Sequence, residues 1–145
     1  MAITIYVSQV AELSSQAEMP LLFLDHSLFI ADDDGYYWFM YDFFLQLAQA
    51  TSQLVDLYGY AVFEPNKILQ LKATIQKIEL AVTLQPEIFP VTIGKRAEPV
   101  KKDLIVQLER QPFLEFLHDL LDLADLAQRE KLFLVFCGDG SYCQY

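Results

Sequence analysis

Residues Asp32 to Phe63 read DDDGYYWFMYDFFLQLAQATSQLVDLYGYAVF. Three acids and a glycine lead into the densest aromatic run of the chain. From about Asp34, the residues Tyr37, Met40, Tyr41, Phe44, Leu47, Ala48, Thr51, Leu54, Val55 and Tyr58 recur at steps of three and four. That period puts side chains on one face of a helix. The spacing therefore predicts a core-forming helix on which the other elements pack. Asp32, Asp33 and Asp34 precede it, and an Asp carboxylate there can accept the unpaired N–H groups of the first turn. Gly59 is a plausible C-cap. The competing reading is a hairpin in which DDDG is the turn and YYWFM the returning strand.

Before this stretch, Ala2 to Ser8 (AITIYVS) is rich in β-branched residues and reads as a strand. Gln9 to Pro20 is mixed and polar, and Pro20 stops anything regular. Leu21 to Ala31 reads as two short strands with a turn, or as one strand with a bulge. Beyond it, YAVF (Tyr60 to Phe63) is a short extended piece. Pro65 then opens a second helix to about Leu84, carried by Ile68, Leu69, Leu71, Ile75, Ile78, Ala81 and Val82. Val91-Thr92-Ile93 suits a strand and Gly94-Lys95-Arg96 a turn. A third helix is expected from Glu98-Pro99, with Leu104, Ile105 and Leu108 as its apolar residues, until Pro112 breaks it. Phe113 to Gln128 is a fourth helical segment: Phe113, Phe116, Leu117, Leu120, Leu121, Ala124 and Ala127 face inward, and Glu115, Asp119, Asp122 and Asp125 face outward. Lys131 to Cys137 (KLFLVFC) is a near-continuous apolar run, as in a strand buried on both faces. The sum is one α+β domain spanning residues 1–145, with three to four helices packed on a small sheet of short strands.

With 54% hydrophobic and 14% aromatic residues, the chain has ample material for a core, which excludes disorder. Some apolar surface should remain exposed, so a homodimer or a partner-binding face is expected. MAITIYVSQV carries no Lys or Arg and is not a signal peptide, and apolar runs reach only six residues. The expectation is a cytoplasmic protein with no membrane span. Cys137 and Cys143 should then be reduced, the alternative being a disulfide that closes a short terminal loop.

The net charge of −10 is unevenly spread: Met1 to Asn66 holds nine acids and no base. A field of that sign repels phosphate backbones and disfavours nucleic acid. It attracts and steers a basic partner, while excess acid also keeps an apolar protein soluble. The remaining constellations carry little chemistry. Aligning Gly35 with the glycine of a calcium loop puts Ile30 and Tyr41 at positions that need carboxylates. Asp25-His26-Ser27 has the residue types of a hydrolytic triad, but neighbours on a strand point to opposite faces. His118 and Asp122 lie four apart on one helix and read as a solvated charge pair. Gly138-Asp139-Gly140 after a strand lacks the third glycine, the lysine and the helix of a phosphate loop. Lys95, Arg96, Lys101 and Lys102 form the one cationic cluster, read as a solvated loop and helix start. No cofactor, metal ligand set or catalytic spacing emerges.

The segment YYWFMYDFFLQLAQATSQLVDLYGYAVF, a following helix, a long acidic helix and LVFCGD together resemble small acidic cytoplasmic immunity-type proteins of bacterial contact-toxin systems. The resemblance covers roughly Tyr36 to Asp139 and implies a non-enzymatic inhibitor that buries its partner's active surface. The expected function is thus a non-catalytic acidic protein-binding module for a basic partner, through Asp32, Asp33, Asp34, Asp56 and Glu64. The alternative is a small-ligand-binding protein or an enzyme with a tyrosine-lined pocket, in which Asp25, His26 or Glu64 would meet.

Overall fold

The structure is a computed structural model that describes residues 2–8, 27–31, 35–57, 59–93 and 104–138. Its axis is the strand Phe133–Gly138 (β6), the near-continuous apolar run near the C-terminus. It lies between β1 (Ala2–Ser8) and β3 (Tyr60–Phe63) in an antiparallel sheet of order β2-β1-β6-β3, with β2 (Leu28–Ala31) at the far edge. The register pairs Ile5 with Phe136, Val7 with Leu134, Ala61 with Phe136 and Phe63 with Leu134. Because side chains alternate across a sheet, these residues share one face with Ile3 and Ile30, and all of them belong to the main core. Tyr6, Val135 and Cys137 are buried on the opposite face, with Val62 packed against them. A strand buried on both faces has no polar alternation to display, which is why β6 reads as an unbroken apolar run.

Three helices supply the rest of the core. The first, α1 (Tyr36–Thr51), buries Tyr37, Met40, Phe44, Leu47 and Thr51. The second, α2 (Ile68–Thr83), follows a single 3-10 turn at Pro65–Lys67 and buries Ile68, Leu71, Ile75, Ile78 and Val82. The third, α3 (Arg110–Glu130), buries Phe113, Leu117, Leu120, Leu123, Ala124 and Ala127 and keeps Glu115, Asp119, Asp122 and Asp125 exposed. Helix α2 packs against both α1 and α3, and α3 touches β1 and β6. A separate hairpin, β4 (Ile88–Ile93) with β5 (Leu104–Glu109), buries Phe89, Val91 and Leu108.

The α+β class, the strand at Ala2–Ser8 and the buried final strand agree with the sequence reading. Five local readings are corrected. The cap of α1 is Gly35 in the left-handed region (φ 86°), with no side-chain hydrogen bond, and Asp32, Asp33 and Asp34 lie outside the described residues. A Cβ on Gly35 would stand 2.6 Å from Val106 Cγ2, so the hairpin presses on the start of the helix and selects glycine. At the other end α1 stops at Thr51, where Ser52 turns left-handed (φ 62°), well before Gly59. Of the stripe residues past that point, Val55 stays buried in irregular backbone, Leu54 is exposed, and Tyr58 lies outside the described residues.

Leu104, Ile105 and Leu108 lie on a strand rather than a helix. Their spacing fits either period, and Val106 settles it: Val106 and Leu108 turn inward while Ile105 is exposed. Pro112 begins a helix instead of breaking one. It is the third residue of α3, within the first turn, where its missing N–H has no intrahelical acceptor to lose. Finally, Cys137 is disulfide-bonded rather than reduced. Cys143, the other cysteine of the sequence, is outside the described residues. Among the described residues no helix is long and apolar enough to cross a membrane.

The end of β6 meets the chain that precedes β3. Gly138 N–H donates to Gly59 O at 2.7 Å, and a Cβ on Gly138 would lie 2.4 Å from Leu57 O and 2.5 Å from Asp56 O. Backbone cannot yield as a flexible side chain can. Gly138→Ala should therefore lower stability by about 2 kcal/mol or more in chemical denaturation. Gly59→Ala, with no heavy atom nearer than 4.0 Å to the added methyl, should stay within about 0.5 kcal/mol of wild type.

Candidate functional site

Residues 52–57 and 59–64 build a surface cleft beside β3. Thr51 Oγ1 donates to Leu47 O at 2.8 Å and accepts from Gln53 N–H at 3.2 Å, so the end of α1 steers the chain that leaves it. Tyr37, from the first turn of α1, donates its hydroxyl to Val55 O at 3.1 Å. Val55 and Leu57 are buried, and the bond from Gly138 to Gly59 pins the far end. Gln53 Oε1 accepts from Val62 N–H at 2.9 Å across nine residues. The segment is thereby fastened to the helix, to β6 and to β3.

These ties leave a cleft of about 550 Å³ beside β3, lined by Gln53, Leu54, Asp56, Tyr60, Val62 and Glu64 among others. Tyr60 is 39% exposed and Leu54 36%, and Glu64 is fully on the surface. The cleft therefore combines apolar side chains with two carboxylates. Two of the acids singled out in the sequence, Asp56 and Glu64, meet here, although eight positions separate them along the chain. Sequence reasoning missed Gln53, Leu54 and Tyr60. The signal for Tyr60 was present in YAVF, where alternation sends Ala61 and Phe63 inward and Tyr60 and Val62 to the other face.

A second cleft, of about 530 Å³, runs between the start of β2 and the outer face of α3, with Asp119, Asp122, Asp125, Leu28 and Arg129 in its walls. Its field is weaker for a cationic visitor, because Arg129 stands in it and Asp125 is paired with Lys72 Nζ at 2.5 Å. Among the described residues the lining of the β3 cleft holds no base.

The other constellations separate in space. His118 Nε2 pairs with Glu79 Oε2 of α2 at 2.8 Å, not with Asp122 on its own helix. The packing of α2 on α3 brings Glu79 across, and intrahelical spacing alone could not reveal it. Among the described residues no three His, Cys, Asp or Glu side chains stand close enough together to hold a metal ion. Asp25 and His26 lie outside the described residues, as do Lys95, Arg96, Lys101 and Lys102. Among the described residues the cleft at Glu64 is lined by one tyrosine, Tyr60, and Tyr58 lies outside the described residues.

Comparison with protein-family models, with curated proteins and with solved structures found no match.

The hydroxyl of Tyr37 ties the helix to the middle of the cleft segment. Removing it leaves Val55 O buried and short of a donor. Tyr37→Phe should cost about 1 kcal/mol in urea denaturation and speed amide exchange between Gln53 and Leu57. A melt and exchange pattern identical to wild type would show that burial alone holds the segment.

Proposed function

We propose that this protein is a non-catalytic acidic protein-binding module, an inhibitor of the immunity type, that captures a basic partner on the β3 cleft. One observation carries the reading: Asp56 and Glu64 share a cleft with Leu54 and an exposed Tyr60, with no base among the described residues of its lining. Interfaces are held by aromatic anchors within a polar rim, and tyrosine is among the commonest anchors. The rim charges contribute differently. They steer the encounter and reject acidic competitors, an effect that reaches over roughly 8 Å at physiological salt. The nine acids before Lys67, with no base among those residues, give this part of the sequence a strongly negative charge.

A second reading is favoured by α2. Its inward residues repeat at helical spacing, yet Leu69 and Leu80 are also exposed, at 65% and 62%, with Leu84 just past its end at 77%. At about 100° per residue these three lie on the side opposite Ile68, Leu71, Ile75, Ile78 and Val82. Such an outward apolar stripe suits self-association as a homodimer.

The two readings are tested separately. Asp56→Lys with Glu64→Lys should leave the circular dichroism spectrum and melting temperature close to wild type. The pair should weaken capture of the native partner by about tenfold or more, with the deficit shrinking as salt rises. Affinity purification from the native cell supplies that partner, and Asp32→Lys with Asp33→Lys measures the share of the acidic lead. Equal affinity of the Asp56/Glu64 variant and wild type would remove the electrostatic argument. For self-association, the wild-type chain should sediment as a dimer and Leu80→Glu as a monomer; a monomeric wild type rules the second reading out.

A further inference from the structure

Strand β3 is the last strand of its sheet, with β6 on one side and no described strand on the other. The direction of its backbone groups follows from two hydrogen bonds. Gly59 O accepts from Gly138 N–H, so Gly59, Ala61 and Phe63 turn their peptide groups towards β6. Val62 N–H points the other way and is met by Gln53 Oε1 at 2.9 Å. Tyr60 and Val62 thus present their N–H and C=O groups outward, into the cleft. Glu64 continues the step of two, and its backbone is still extended (φ −64°, ψ 156°) before Pro65 turns the chain.

We infer that the cleft recognises its partner by strand addition: an extended basic segment of the partner protein pairs with the outer edge of β3 along Tyr60–Glu64. The inference rests on the reading of this cleft as the binding face for a basic protein, and it specifies the form that the partner's segment takes. An exposed edge is a template for another strand, with main-chain bonds supplying affinity and alternate side chains supplying selectivity. In this edge the outward N–H of Val62 is satisfied by a side-chain amide, not by main chain. A partner carbonyl can take the place of Gln53 Oε1 one for one, and the released amide is then satisfied by water, so the exchange costs little. The same contact guards the empty edge against unspecific pairing. The carboxylates choose the incoming sequence. Glu64 at the end of the edge and Asp56 in the cleft wall favour Lys or Arg in the added strand, and Tyr60 and Val62 favour apolar residues between them. On the single face that meets Tyr60, Val62 and Glu64, the partner's segment should therefore carry apolar residues at two successive alternate positions and a basic residue at the next.

The test uses the whole chain labelled with ¹⁵N and, as probe, a peptide of about eight residues, lysine-threonine-valine-threonine-valine-threonine-lysine-threonine, which puts lysine and valine on one face and is long enough to span a strand of ordinary length. At saturating peptide the Tyr60 and Val62 amides should exchange at least about tenfold more slowly. Gln53→Ala removes the competitor, so it should speed Val62 exchange in the free protein and bind the peptide roughly fivefold more tightly. Glu64→Lys should weaken the peptide about tenfold. The wild-type exchange experiment decides the matter even if Gln53→Ala is poorly folded. Binding that leaves Tyr60 and Val62 exchange unchanged overturns strand addition and leaves the acidic binding face standing. Failure of the peptide to bind, while the native partner still depends on Asp56 and Glu64, overturns strand addition in the same way. Loss of every basic partner overturns both.

Discussion

Phe44 of α1 meets Phe136 of β6 at 6.3 Å between ring centroids, and Phe136 in turn meets Phe63 of β3 at 5.6 Å, both edge to face. This three-ring contact fixes the aromatic helix on the central strand and its edge neighbour. From the same helix, Phe39 reaches Phe89 of the hairpin at 5.5 Å and Phe113 of α3 at 5.4 Å, and Tyr36 stacks on Phe113 at 4.2 Å. One helix thereby touches the sheet, the hairpin and α3 through aromatic rings. Each such pair adds about 0.5–1.5 kcal/mol beyond the burial of its surface. Burial itself stabilises by roughly 1.5–3 kcal/mol per large apolar side chain. Against those sums, the roughly 1 kcal/mol forgone where Gly35 caps the helix without a side-chain bond is small. Packing, not capping, decides where α1 begins and how it lies.

The candidate binding face is a consequence of that placement. With α1 seated on β6, its C-terminal end lies beside β3, and the chain must cross from one to the other between Ser52 and Gly59. It crosses so close to the end of β6 that only glycine fits at position 138. Burying Val55 and Leu57 holds the segment down, and Gln53 ties it to the strand edge. What remains outside are Leu54, Asp56, Tyr60 and Glu64. An edge strand that is charged at its end and guarded by a side chain also meets a general need of β proteins, which must keep free edges from pairing with the wrong chain.

Much of this was legible in the order of residues, and the limits have identifiable causes. AITIYVS and KLFLVFC could be placed as strands because β-branched and aromatic runs of that length suit little else. The first and second helices showed a strong three-four period. Leu104 to Leu108 misled because three apolar residues in five positions satisfy both periods, and only the pairing with β4 selects one. Pro112 misled because a proline's meaning depends on where the helix begins, which is set here by Arg110, whose N–H bonds Glu87 O and whose guanidinium bonds Gln85 O. Of the acids singled out, Asp56 and Glu64 share one cleft, and Asp32 to Asp34 lie outside the described residues. Their convergence with Tyr60 and Gln53 was not legible, since it depends on a bond from Val62 to Gln53 that no spacing rule anticipates.

The opening stretch, Asp32 to Phe63, by itself determined that an aromatic helix would organise the core, because apolar side chains at steps of three and four have one burial solution. The composition likewise determined one folded α+β domain with an acidic N-terminal half. Tertiary structure decided where the helix stops, which glycines are obligatory and which acids stand together. Those outcomes depend on distant parts of the chain pressing on backbone, as the Leu57 carbonyl approaches Gly138 and the Val106 side chain approaches Gly35. Local periodicity contains no information about such encounters, because the neighbours that settle them are neighbours only after folding.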